Sequence, residues 1–579
     1  MPGRFNLKIL FIGIFLFFLP FSVEATVGEA GNFYVDSSYD LYGRETIDAY
    51  LVKTSDSLYF YIEKSWWDSH SSQEQNDIKI ALFELGGEFR NKIYPVLTSN
   101  FGSEWKPGVD GDERITVLFH PMRTGKAGYF RTNDQYSKFQ IYNSNEREMV
   151  YLSSDYMTSS IVKSFFAHEF VHLITFNQKD KIRKVTEEVW LNEARAEYAI
   201  TLLGYDSEYQ GSNLQRRVQE FLKTPSDSIT EWRGVSADYG ALNLFTQYLV
   251  DHYGVAILRD SLFSSETGIA SLNYALKKNG HPEDFSQIFT NWTIAVLVND
   301  CSLAPLDSGH LTGLGSKYCY RNPNLKNLRI VPESNFIPTA RETSLSVYSQ
   351  IKDWSAKWQK LFGGKGDLTL KFNGEKEVKF KVPYVLCDYA PKCTVKNFNL
   401  NEQQKGEIII PDFSSKYSSL TLIPSAQNKL SGFTDNEPVY LFSWEVRTKE
   451  ISEDNSEIIK KLLEQIAFLK AEIVRVQAQI SAILAAQGQS ACGKFEKDLY
   501  FGMRQSPEVR CLQETLRSLG PEIYPEGLVT GNFLSLTKLA VIRFQEKYAV
   551  EILVSLGLEK GTGYFGPLSR QVANKLIHK

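Results

Sequence analysis

The chain has 579 residues, 43% of them apolar and 23% charged, with a formal net charge of −4. A single core rarely grows past about 250–300 residues, so several folded domains are expected. Near-balanced charge without a basic stripe excludes an electrostatically driven nucleic-acid partner.

In chain order, Arg4 and Lys8 precede an apolar run over residues 9–21, and Val23-Glu24-Ala25 offers small-residue spacing for cleavage after Ala25. This is the order of a secretory signal peptide, residues 1–25. Read as an uncleaved anchor, about 13 apolar residues fall short of the roughly 20 that span a bilayer. No Cys follows the run to carry a lipid, and no later segment is apolar enough to cross a membrane. The expected location is secreted, at the cell surface or cell wall. The six cysteines fit export and form three local couples, Cys301 with Cys319, Cys387 with Cys393, and Cys492 with Cys511. Proximity is the only guide to that pairing; disulfides are the expected use, with zinc-binding thiolates the alternative.

Residues 26–180 read as mixed α/β, with strands at 58–62 (LYFYI) and 115–120 (ITVLFH) and helical spacing over 77–97. The turn Gly108-Val-Asp-Gly-Asp-Glu113 offers carboxylates to Ca2+, and is otherwise a solvated acidic turn. Helices dominate 158–278, and Gly and Pro break the exit from 301 to 332, so residues 181–332 form a mainly helical half. Short strands at 368–372, 378–382, 406–410 and 420–423 predict an antiparallel β-sandwich over 335–449, an accessory or spacer domain. Over 452–487, Ile459, Ile466, Ile473 and Ile480 alternate with Leu462, Leu469, Val476 and Ile483. That is a coiled-coil seam of about 45 Å, whose partner would be another copy of the chain; the alternative is one helix folded onto a neighbouring domain. Residues 490–579 read as a compact helical unit.

The chemistry concentrates in Phe165-Phe-Ala-His168-Glu169-Phe-Val-His172. Four residues apart on a helix, the two imidazoles leave one face and can grip one metal ion. Glu169 beside the first ligand can reach a metal-activated water as general base without taking a coordination position. With eight His in the chain, a chance HExxH is expected roughly 0.01 times. The plainer alternative is two histidines packed against a core. Downstream, residues 187–198 (EEVWLNEARAEY) read as an amphipathic helix in which Glu193 would be the third ligand. Glu197, one turn on, can accept the free N–H of a ligand His.

His168-Glu-Phe-Val-His172 followed by Trp190-Leu-Asn-Glu193-Ala resembles the gluzincin metallopeptidases, and the wording from Ala167 to Gln178 is most similar to the hyicolysin-like peptidases. The resemblance covers about residues 30–330 and is specific around the two motif helices. It implies an α+β, zincin-like (thermolysin-like) peptidase domain over 26–332, with one Zn2+ on His168, His172 and Glu193. In that family the orienting acid is often Asp, where this chain has Glu197. The resemblance also implies an oxyanion donor near Asp238-Tyr239-Gly240, with Tyr239 the candidate and His252 the reserve, and substrate pairing at an edge strand, here expected at 115–119. With no GxMEN-type sequence present, an endopeptidase is preferred. In the tail, Leu512-Gln513, Thr530-Gly-Asn-Phe533, Thr537 and Phe544-Gln545 resemble the small peptidoglycan-binding domain, with a second Gly563-Tyr-Phe-Gly566 as a departure.

The expected activity is zinc-dependent hydrolysis of protein substrates by a chain tethered to the cell wall. Two rivals are a non-catalytic wall-bound surface protein and a peptidase for cell-wall peptides. Gly86-Gly-Glu-Phe89 matches a cyclase signature without supporting chemistry around it, and Asn291-Trp-Thr293 is a glycosylation sequon.

Overall fold

A computed structural model of the chain describes residues 26–303, 317–339, 342–449, 455–486 and 493–577; the proposed signal segment and Cys492 lie outside them. The chain is multidomain, with mixed α/β content and several antiparallel sheets. The first sheet joins β1 (Ala30–Tyr34), β2 (Thr46–Thr54), β3 (Leu58–Glu63), β4 (Ile115–His120), β5 (Gly128–Tyr129) and β6 (Met149–Ser153) in the order β1-β2-β3-β4-β6-β5. β3, β4 and β6 pair in parallel, and β5 returns antiparallel to β6 as the edge. The near-continuous apolar runs of β3, β4 and β6 are explained by burial on both faces. Phe60, Ile62, Val117, Phe119, Val150 and Leu152 face a helical layer, whereas Tyr59, Tyr61, Leu118 and Tyr151 pack with Phe33, Ile47 and Tyr129 on the other side.

The helix expected from residue 77 begins earlier, at Ser72. Ser71 caps it in a reciprocal box with Glu74, and it runs to Glu88, then through a wide turn into Tyr94–Phe101. The histidine helix (Val162–Phe176) packs beneath β5 and β6, and the glutamate helix (Val189–Leu202) packs against the histidine helix. A buried ionic knot fixes the connection between them. Lys179 donates to the carbonyls of Ser261, Ser264 and Glu266, and Glu187 pairs with both Lys179 (3.4 Å) and Arg195 (2.8 Å).

The change to strand character near residue 333 is not a boundary between cores. Trp354, Ala356, Trp358, Val385 and Ile423 belong to the same apolar core as the metal-site helices, with Trp354 stacked edge-on against Phe285 at 4.7 Å. The sandwich itself has a five-stranded sheet and a four-stranded sheet around Leu361, Leu370, Phe372, Leu420 and Trp444. One pairing in it is parallel, between Gln359–Gly363 and Glu333–Ile337. The strand expected at 378–382 shrinks to Phe380–Lys381, in a two-residue ribbon.

The helix Asn455–Ala486 lies against the sandwich through Phe468, which meets Tyr389 edge-on, and Glu472, paired with Lys360 at 2.9 Å. Ile466 and Ile473 of the heptad seam face outward, 47% and 56% exposed. In the tail domain the second glycine motif repeats the first. Gln513 brackets Gly531 and Thr537 at separations of 18 and 24 residues, and Gln545 brackets Gly563 and Ser569 at the same separations. Each side-chain amide ties a glycine turn to the next helix, so one structural unit is used twice.

The disulfides Cys301–Cys319 and Cys387–Cys393 are formed, which fits a secreted protein; Cys511 is also disulfide-bonded. No helix among the described residues is long and apolar enough to cross a membrane.

Candidate metal centre

The i, i+4 spacing of His168 and His172 places both rings on one side of the histidine helix, centroids 5.0 Å apart. The opposite side is anchored by Phe166, Phe170, Val171 and Ile174. The glutamate helix approaches closely because Ala194, Ala196 and Ala199 are buried at its contacts. Glu193 then reaches across, with Oε2 at 3.2 Å from His168 Nε2 and Oε1 at 3.7 Å from His172 Nε2. Ligand atoms of His168, His172 and Glu193 all lie within 4.8 Å of one another.

Both rings are turned the same way by partners on their other nitrogens. Asn192 Oδ1 stands 3.0 Å from His172 Nδ1, and Glu197 Oε1 stands 3.5 Å from His168 Nδ1. With Nδ1 protonated toward these acceptors, each Nε2 lone pair faces Glu193. Glu193 Oε2 is buried and makes no hydrogen bond. Two imidazole lone pairs and an orphaned carboxylate oxygen converging in a pocket with two further carboxylates fit a zinc ion.

Glu197 is held by Arg217 through both oxygens, at 2.6 and 2.8 Å, and accepts from Asn213 and Asn243 at 3.1 Å each. Burial alone would raise its pKa, but the guanidinium beside it brings it down to about 2. The Arg217 contact thus favours the ionised form of Glu197. Glu169 is also buried, and burial together with Glu193 and Glu197 pushes it up to about 8, opposed by His168. A carboxyl poised near neutrality suits acid–base work, and a cation in the cluster would pull it lower.

The edge of the sheet closes over this residue. A Cβ on Gly128 of β5 would stand 3.0 Å from Glu169 Oε1 and 2.9 Å from the Tyr151 carbonyl, so only glycine lets the strand lie so near. This corrects the expected substrate strand. Residues 115–119 are in β4, between β3 and β6, with no free backbone edge; β5 is the edge strand beside the site.

Tyr239 enters from the helix Ser236–Tyr253, with Arg217 over its ring at 4.3 Å and Trp232 edge-on at 4.8 Å. Burial and the charges of Glu193 and Glu197 raise its pKa far above the ordinary range, which keeps its hydroxyl a donor. Tyr39 is a second phenol at the site, which sequence reasoning missed. Burial and the charges of Glu169, Glu193 and Asp36 raise it to about 12.

His252 is excluded from the site. It is buried at the far end of the same helix, its Nε2 bonded to the Cys319 carbonyl at 2.7 Å and its ring against Tyr248. Burial lowers its pKa from 6.5 to about 4, so the unfolded chain binds this proton first as pH falls. The contribution of His252 to stability is present above pH 6.5 and is lost as pH falls through 4. Accordingly, the drop in urea midpoint between pH 7 and pH 4.5 is expected to be smaller for His252→Gln than for the unaltered chain; equal drops would contradict this.

The acidic turn does not converge on a cation. Asp112 accepts from Tyr59 and from the Arg114 amide, and Asp110 accepts from the Asp112 amide. Among the described residues, no group of three ligating side chains forms there. The sequon is likewise inaccessible, since Asn291 and Thr293 are buried in a helix, and the Gly86-Gly-Glu-Phe89 match lies within helical structure.

No family model matches the chain, and no curated protein matches it. Among solved structures, one similarity is to a family GH115 4-O-methyl-alpha-glucuronidase with specificity for decorated arabinogalactans. It has 9% identity and a TM-score of 0.12 over 61% of this chain and 54% of that one. This chain thus spans about half of that protein, and a TM-score so low carries no argument about fold or activity.

Proposed function

We propose that the chain is a secreted zinc-dependent endopeptidase with a zincin-like head. The observation that carries this reading is the convergence of His168 Nε2, His172 Nε2 and the Glu193 carboxylate beside Glu169 and a free sheet edge. Zinc held by the three ligands would supply a Lewis acid for the scissile carbonyl and lower the pKa of water to about 7. Glu169 takes the proton of the attacking water and passes it to the leaving amine. The Tyr239 hydroxyl donates to the carbonyl oxygen as it gains charge, a contribution of roughly 3 kcal/mol. The open side of β5 offers backbone groups to an extended peptide. Glu197 and Asn192 hold the two ligand rings in the binding tautomer. His168→Ala and Glu193→Ala are expected to lose the metal, read by elemental analysis. Stoichiometric zinc with full activity in Glu193→Ala would refute the ligand assignment.

Two further proposals concern the tail. The twice-used glutamine bracket supports a stable docking module, for which peptidoglycan is the proposed partner. The outward Ile466 and Ile473 support pairing of the stalk with a second copy of the chain. Ile466→Asp combined with Ile473→Asp is expected to turn a sedimenting oligomer into a monomer. An unaltered chain that is already monomeric at micromolar concentration would dismiss the pairing.

A further inference from the structure

The segment between the helices Asn213–Lys223 and Ser236–Tyr253 leads to Tyr239, and it is held both by Asp238 of the second helix, which accepts from Arg233 and Val235, and by the sandwich. Ser228 donates its hydroxyl to the Asp353 carbonyl at 2.7 Å, and the Ile229 amide donates to the Trp354 carbonyl at 3.0 Å. Glu231 accepts the Glu437 amide at 2.9 Å and pairs with Lys352. The Trp232 amide donates to the Thr434 carbonyl at 3.2 Å. The sandwich loop that makes these last contacts, residues 427–437, is braced from within. Glu437 is buried and accepts from the Thr434 amide and hydroxyl and from Lys429. The same loop reaches the start of the glutamate helix, where the Gly432 amide donates to Glu188 at 2.7 Å and Phe433 meets Trp190 edge-on.

Tyr239 therefore stands between two supports of different origin. On one face is Arg217, fixed by its bidentate bond to Glu197. The other is Trp232, whose indole meets the ring edge-on at 4.8 Å and whose backbone amide is bonded to the sandwich. A phenol that must meet a developing oxyanion loses its value if it can swing, because a displacement of about 1 Å can cost up to about a hundredfold in rate. We propose that the 427–437 loop of the sandwich is a working part of the active site, and that Trp232 is a positioning residue that holds the Tyr239 ring for the reaction. This inference rests on the peptidase reading above, and in particular on Tyr239 as the donor. The second domain is then required for turnover and is not a spacer.

A double-mutant cycle in the full chain tests it. Trp232→Ala is expected to lower kcat about tenfold or more with KM within about twofold, and Trp232→Phe to recover most of the loss. In a Tyr239→Phe background, Trp232→Ala should cost nothing further. Glu437→Ala, which unbraces the loop without touching Trp232, should repeat the pattern and guards against a misfolded Trp232→Ala. A readout without metal or substrate accompanies these. Amide hydrogen exchange over residues 236–241 of the metal-free chain should rise in both Trp232→Ala and Glu437→Ala. Equal losses in both backgrounds, or unchanged exchange, would overturn the positioning role. A silent Tyr239→Phe in a chain that still cleaves would remove the donor assignment and this inference with it. Loss of all cleavage by the unaltered chain would instead strike the peptidase reading itself.

Discussion

Glu169→Gln is expected to keep one zinc per chain and to lower kcat about a thousandfold. The amide has nearly the shape of the carboxylate and occupies the same buried place against Gly128, so the fold and the three ligands are undisturbed. It cannot accept a proton from water, and general base catalysis contributes about 10²–10⁴ in rate. The pH profile adds a second check. Burial and two neighbouring carboxylates favour the protonated form of Glu169, whereas a zinc dication favours the ionised form. With zinc bound, the acidic limb of the cleavage profile should therefore lie below about pH 8, the value that burial and the carboxylates give Glu169 without a metal. A Glu169→Gln chain that cleaves peptides at the original rate, with full zinc, would remove Glu169 from the reaction.

Arg217→Met is expected to cost about 3–5 kcal/mol in folding stability, because Glu197 is left as a buried charge without its counter-ion. The pair is almost wholly enclosed, with side chains 8% and 1% exposed, so water cannot replace the guanidinium. The effect should extend to the metal, since Glu197 orients His168, and loss of such outer support lowers metal affinity by about 10–100-fold. Adding Glu197→Gln to Arg217→Met should restore most of the stability but not the zinc affinity, because a neutral amide is cheap to bury and a poorer partner for the His168 N–H. Chemical denaturation and zinc titration of the two variants separate the effects. Full stability in the single variant would show that the Arg217 contact is dispensable.

What the sequence made legible was periodic and local. A spacing of four positions between His168 and His172 is enough to fix a shared helix face, and a seven-residue repeat is enough to mark the long helix Asn455–Ala486. What stayed hidden were contacts between elements far apart in the chain. Arg217 lies 20 residues from Glu197 on a helix whose polar positions look like any solvated face. Asn192 was within the quoted motif, but its role appears only when two helices are packed. Tyr39 precedes the first long strands and carries no pattern at all. The misplaced edge strand is the most instructive case. An unbroken apolar run such as residues 115–119 signals burial on both faces, which belongs to an interior strand. The real edge is two residues long, too short for any alternation to register. The joint core of Phe285, Phe289 and Trp354 was hidden for the same reason, since a change from helical to strand pattern marks a change of structure and not the end of a core.

The most direct measurement is cleavage of casein by the full chain, first stripped of metal by a chelator and then given one equivalent of zinc. No cleavage is expected without metal, and cleavage should return as zinc approaches one ion per chain. Cleavage that survives complete removal of metal, or one tightly bound zinc with neither casein nor purified cell-wall peptides cleaved, would contradict it.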